Sequence, residues 1–202
     1  MNKRTMCWSQ LSVLLWGAIA VVSAASQSSA ELDHLLSALQ VEKTSNNAMQ
    51  ELLSRRDDPE AKRYLAARVP ALLDQYRQRN DGMPDLVWGN EARVAGEFKI
   101  AAAAPILARR LDMLTSPLSG GSLGYNFVDR AADSALIRIG PPAVPFVIEV
   151  LKHGNPLQRE IAAHVLRYIG TDIAWRALEE DLPGEKDPEV RHRIQEALGS
   201  RH

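Results

Sequence analysis

The five histidines, His34, His153, His164, His192 and His202, are the first residues that could ligate a metal or move a proton. A zinc-hydrolase helix needs two imidazoles one turn apart with a glutamate between them, so that all three share a face. No two histidines here stand at His-x-x-x-His spacing, so the sequence offers no metal site. The paired acids Asp57-Asp58 and the run Glu179-Glu180-Asp181 could in principle supply an acid and a base. Charge runs of this kind are ordinarily solvated faces, and their spacing asserts no glycosidase-like pair. Gly120, Gly121 and Gly124 invite a phosphate-loop reading, but no Lys-Ser or Lys-Thr follows them, so they read as a flexible spacer. No catalytic, cofactor-binding or metal-ligating residue is assigned, and the chain reads as a non-enzyme without a cofactor.

The elements that would carry any function begin with a leader. Lys3 and Arg4 precede an apolar stretch, Leu11 to Val21, and Val22-Ser23-Ala24 supplies the small residues of a signal-peptidase site. Residues 1–24 are therefore expected to be a cleavable signal peptide, with cleavage after Ala24, which places the mature chain in the periplasm or outside the cell. The alternative is an uncleaved anchor over Trp8 to Ala25, close to the length a bilayer needs. No second apolar span follows, so no membrane insertion is expected after cleavage.

The chain of 202 residues is 46% apolar and 24% charged, with few aromatic residues and abundant Ala, Leu, Arg and Glu. That is helix-forming chemistry and predicts an all-α fold. Removing Lys3 and Arg4 with the leader moves the formal charge from −1 to −3. This balance lacks the concentrated basic patch that nucleic acid binding requires. The one cysteine, Cys7, lies in the leader, so a mature chain would have none.

Self-similarity organises the rest. Asn155-Pro156 through Gly170 aligns with Val128 to Gly140 at an offset of 30 and with Asp187-Pro188 through Leu198 at an offset of 32; a further copy begins at Asp58-Pro59. Each Asp-Pro or Asn-Pro places an N-cap before a residue with no amide hydrogen to leave unpaired. Gly140 and Gly170 then close two of the helices. Second helices are predicted to open at Val69-Pro70, Ala104-Pro105 and Val144-Pro145, with an apolar stripe such as Val144, Val147, Ile148 and Leu151. A lone hairpin of this kind cannot bury both faces, so copies stack.

This pattern resembles the HEAT-repeat family, on the strength of Asp187-Pro188-Glu189-Val190-Arg191, Asn155-Pro156 with Arg159, and Val144-Pro145 followed by Phe146 to Lys152. It departs from the family at Asp129, in the usual arginine position, and at Trp175, in place of proline. The resemblance implies a right-handed α-solenoid of about four to five helical hairpins over residues 58–202, preceded by an N-terminal helical cap over 25–57. In that cap Leu32, Leu35, Leu36 and Leu39 form one helical stripe and Met49, Leu52 and Leu53 another, with Thr44 to Asn47 as the expected break between them. Leu35 and Leu39 are also candidates for a surface contact.

Superimposing the proline-opened helices puts Asp74, Arg109, Glu149 and Glu179 at one equivalent position, flanked by Arg110 and Glu180. The resemblance implies that these second helices line the concave face. Such a ridge is either a ladder of ion pairs from Asp74 to Arg109 to Glu149 or a recognition surface for another protein or an extended peptide. Arg159, Arg191 and Lys62 recur on first helices and read as pairing with acidic loop residues. The stretches Asn80 to Asn90 and Thr115 to Asn126 fit no repeat and read as loops; Trp88 in the first either folds back onto the core or meets a partner. The function expected is a protein-binding scaffold, with an accessory role beside an enzyme or in cofactor attachment as the alternative.

Overall fold

A helix begins where a side chain can accept the amides that its first turn leaves unpaired. Asn155 does so for α8 (Pro156–Ile169): its Oδ1 accepts the Gln158 amide at 2.9 Å, and Gln158 Oε1 accepts the Asn155 amide at 3.1 Å. Asp58 accepts the Glu60 amide at 2.9 Å to open α3 (Pro59–Gln75), and Asp187 accepts those of Glu189 and Val190 to open α10 (Pro188–Gly199). Proline follows each cap as the sequence requires. Gly140 and Gly170 sit at φ +78° and +67°, the positive values expected of them.

The computed structural model describes residues 28–76, 85–113, 115 and 130–201. It is all-helical, with no strand among the described residues. The remaining helices are α1 (28–39), α2 (Glu42–Ser54), α4 (Leu86–Glu97), α5 (Ala104–Ala108), α6 (Ala131–Ile139), α7 (Val144–His153) and α9 (Asp172–Asp181). Short 3-10 turns, Ala101–Ala103 and Pro141–Ala143, lead into α5 and α7, and the chain bends by 115° between α6 and the stretch Pro141–His153. The leader, and nearly all of the loop expected over 115–126, lie outside the described residues. No single helix among those described is long and apolar enough to cross a bilayer.

Helix packing follows the chain order. The helix α4 packs on α2 and α6, α6 on α8, and α8 on α10, while α3 packs on α5, α5 on α7, and α7 on α9. Sequence neighbours α3 and α4, α5 and α6, α7 and α8, and α9 and α10 also pack together. One continuous apolar cluster runs from Leu32 to Ala197 beneath these contacts. At the α4–α6 contact the backbones approach closely, because a Cβ added at Gly96 would stand 2.7 Å from the Ala135 Cα.

Four expectations are corrected. Val69-Pro70 opens no helix, because α3 runs through it. Ala61, Leu65, Val69 and Leu73 stand four residues apart and are all fully buried, so an unbroken helix keeps them on one face. The break in the N-terminal pair lies at residues 40–41 rather than at Thr44 to Asn47, which are inside α2. Thr44 Oγ1 donates to the Ala38 carbonyl at 2.7 Å, satisfying the end of α1 and holding the turn tight. Leu35 and Leu39 are buried in the core and present nothing to a partner. Finally, residues 86–90, expected in a loop, form the first turn of α4, capped by Asp85 on the Trp88 amide at 3.3 Å.

Candidate functional site

The helices α3, α5, α7 and α9, which pack on one another in that order, carry the four charged residues singled out by repeat position. Asp74 lies in the last turn of α3 and Arg109 just past α5, Glu149 lies on α7, and Glu179 lies on α9; all four are exposed. The first rung of the expected ladder forms, with Arg109 Nη2 3.3 Å from Asp74 Oδ1. The second does not. Glu149 faces His153 one turn along its own helix at 3.8 Å, and Glu179 pairs with Arg201 at 2.6 Å. Pairs this exposed contribute at most a few tenths of a kcal/mol, roughly. All four charges thus have a partner, but each stays exposed to solvent. Phe146 on α7 and Ile173 on α9 stand exposed on these same helices.

Two further candidates for partner contact, Arg110 beside this row and Trp88, are packed against each other. Arg110 is half-buried: Nη2 donates to the Tyr76 carbonyl at 2.7 Å, and the guanidinium lies 5.8 Å from the centre of the Trp88 ring. Trp88 is fully buried, with its indole N–H toward the Leu73 carbonyl at 3.4 Å. The fold-back alternative therefore holds for Trp88, which presents nothing to a partner, while Arg110 is partly engaged by these contacts. The pair instead ties the end of α3 to α4 and to the turn after α5 through an aromatic face and a cation.

The recurrent first-helix cations divide as well. Arg159 forms a two-pronged pair with Glu185, Nε and Nη2 each 2.9 Å from a carboxylate oxygen, and Arg191 donates to the Glu185 backbone carbonyl. This ties the α8 start to the loop before α10, with Arg159 on the acidic side chain as expected and Arg191 on the backbone instead. The Arg159 guanidinium holds the Glu185 carboxyl below its ordinary value. Lys62 has no such partner among the described residues. It lines a cleft of about 740 Å³ together with Arg56, Asp57, Glu97, Lys99 and Arg138. Its apolar lining comes from Gly96, Phe98 and Ile137. Glu97, largely buried, pairs with Arg138 and stands 3.9 Å from Arg56.

Sequence reasoning missed this cleft, because its residues come from three separate stretches and only Lys62 had been marked by the repeat. It also missed three buried acids. Burial raises the Asp85 carboxyl, lifts Glu91 to about 7 and lifts Asp133 to about 6. Gln40 Nε2 reaches Glu91 Oε1 at 3.4 Å, while Glu91 Oε2 has no hydrogen-bond partner among the described residues. The available signal was spacing, since Glu91 stands three residues past Trp88 on the inward stripe of α4. His164 is half-buried against Tyr168 with ring centres 4.6 Å apart. Burial, with Arg193 and Arg167 nearby, pushes it down to about 4.

Among the described residues no three metal-ligating side chains gather. The string Gly120-Gly121-Ser122-Leu123-Gly124 fits the Gly-x-Ser-x-Gly spacing of a serine nucleophile. A nucleophile elbow requires a strand leading into the serine. This string lies outside the described residues and no strand occurs among those described, so spacing alone carries no activity. No protein-family model matches the chain, and no curated protein shows significant similarity to it.

Proposed function

We propose that the chain is a right-handed α-solenoid of four to five HEAT-like hairpins, acting as a non-enzymatic scaffold that holds another protein or an extended peptide. In this reading residues 1–24 direct export and are removed, and the scaffold works in the periplasm or outside the cell. The observation that carries the proposal is the alternating order of helix contacts. Even-numbered helices from α2 to α10 pack in sequence, and odd-numbered helices from α3 to α9 pack in sequence beside them. Such an order is what a stacked helical repeat would give, and it supports this reading. Its second row repeats an exposed charge at one position per helix, Asp74, Arg109, Glu149 and Glu179, with Phe146 and Ile173 exposed on the same helices. Spaced charges with exposed apolar residues on the same helices suit recognition of an extended partner more than a small substrate.

A photo-crosslinking residue at position 146 in the chain from Ala25 onward, exposed to the native cell envelope, would test this. A discrete crosslinked partner is expected. Reversing Arg109, Glu149 and Glu179 together should abolish it with helicity unchanged. Persistence of the same crosslink through the triple reversal would reduce the charged row to a structural feature and reject it as the recognition surface.

A further inference from the structure

Lys99 is the one non-glycine residue with positive φ, +51°, among the described residues. It occupies the position just past α4 where the chain doubles back. There the Lys99 amide donates to the Gly96 carbonyl at 3.0 Å and the Ile100 amide to the Ala95 carbonyl at 2.9 Å. Two other helices of the chain end on a positive-φ residue, and both use glycine, at 140 and 170. A lysine at such a position costs stability that glycine would not, so its side chain rather than its backbone is the reason to look for a role.

That side chain lines the 740 Å³ cleft with Arg56, Lys62 and Arg138. The four cations come from the α2–α3 turn, the first turn of α3, the end of α4 and the end of α6, and only folding brings them together. Asp57 and Glu97 are the opposing charges, which leaves a balance of two positive charges. Glu97 serves both arginines, Arg138 directly and Arg56 at 3.9 Å, and both guanidinium groups stay largely exposed. Lys62 and Lys99 make no ion pair or hydrogen bond among the described residues. Two committed arginines and two uncommitted ammonium groups over an apolar floor of Phe98 and Ile137 form a concave, positively charged site. Its volume is that of a small-ligand pocket, and ammonium groups bind phosphate oxygens as compact point charges.

We infer that this cleft binds a small ligand carrying a dianionic phosphate-type group on an apolar body, with Lys62 and Lys99 contacting the anion. The site is separate from the charged row of α3, α5, α7 and α9 and stands whether or not that row recognises a protein. The same phosphomonoester chemistry occurs on a soluble metabolite and on a lipid headgroup.

Titration calorimetry of the chain at pH 7.5 with phenyl phosphate, and with benzoate as a monoanionic control, tests the inference. Saturable phenyl phosphate binding is expected, with benzoate at least about tenfold weaker, as fits a site balanced for two charges. Lys99→Gly keeps the backbone geometry and removes the amine. It should weaken phenyl phosphate by about fivefold or more, the scale of one charge-assisted contact, while leaving the melting temperature unchanged or higher. Lys62→Gln should weaken binding similarly. Co-sedimentation with vesicles containing phosphatidic acid, lost in Lys99→Gly, would assign the lipid source. Phenyl phosphate binding without co-sedimentation would assign the soluble one. Absence of binding in both arms, equal affinity for benzoate, or unchanged affinity in Lys99→Gly would each overturn the inference.

Discussion

A carboxyl group that no cation reaches holds its proton in order to stay inside, and Glu91 is such a group. It is 2% exposed, it shares a hydrogen bond with Gln40, and Asp85 nearby adds a repulsive charge once both ionise. Burial raises it from 4.5 to about 7. A folded-state value above the unfolded one means that the folded chain binds the proton more tightly. The stabilisation from Glu91 is therefore complete below about pH 4.5 and is lost as pH rises through about 7. The shift corresponds to up to about 3 kcal/mol. His164 works in the opposite direction: pushed down to about 4, it favours the fold above its unfolded value of 6.5 and loses that advantage as pH falls through about 4. The wild-type pH profile mixes both, so the informative quantity is a difference. Glu91→Gln, which mimics the protonated acid, should match the wild type in urea unfolding at pH 4.5 and exceed it by up to about 3 kcal/mol at pH 8. A gap that stays constant with pH would show that Glu91 does not titrate in this window. In the sequence only the three-residue spacing from Trp88 pointed inward, and a glutamate beside an alanine otherwise reads as surface. Lys99 was equally hidden, since only the backbone torsion marks it. The exposed charges Asp74, Arg109, Glu149 and Glu179 were readable because exposure requires only that a residue lie off the apolar stripe.

At the level of helices, caps were the most legible feature, because a cap is a local interaction between residues two or three apart. Asn155 with Gln158, Asp58 with Glu60, and Asp187 with Val190 all close as their spacing requires. Proline was legible only where nothing longer-ranged competed. Pro105 and Pro145 sit in the first turns of α5 and α7, where their missing amide has no cost, whereas Pro70 sits inside α3. There the Ala66 carbonyl is denied its partner four residues on, a local defect that the buried stripe of Ala61, Leu65, Val69 and Leu73 overrides. The two environments give opposite expectations for one substitution. Pro70→Ala should stabilise the chain by about 1–3 kcal/mol, while Pro145→Ala should change it by less than about 0.5 kcal/mol, both read from urea unfolding midpoints. If the two variants behaved alike, α3 would be broken at residue 70 and the repeat boundary expected there would return.

At the scale of the whole molecule, the question is whether the continuous core behaves as one unit or as a chain of neighbours. Composition and repeat spacing were enough to predict an all-helical chain, because helix propensity and apolar periodicity are written residue by residue. The order in which helices touch is a property of the assembled chain, and sequence alone reaches it only by resemblance. The contacts give it a measurable consequence. Helix α10 packs on α8 and α9 through Val190, Ile194 and Ala197, and α2 reaches it only through α4, α6 and α8. In a stacked repeat, stability sums over each unit and its interfaces with the next, so damage at one end stays near that end. Ile194→Ala removes a fully buried side chain and should cost about 2–5 kcal/mol locally. Native-state hydrogen exchange should then quicken in α8, α9 and α10 while the amides of α2 and α4 keep their protection. Leu136→Ala in α6, which sits between both halves, should instead lower protection on either side of it. A single cooperative globule would respond to both substitutions with the same uniform loss from α2 to α10, and that pattern would remove the physical basis for reading the charged row as a scaffold built from repeats.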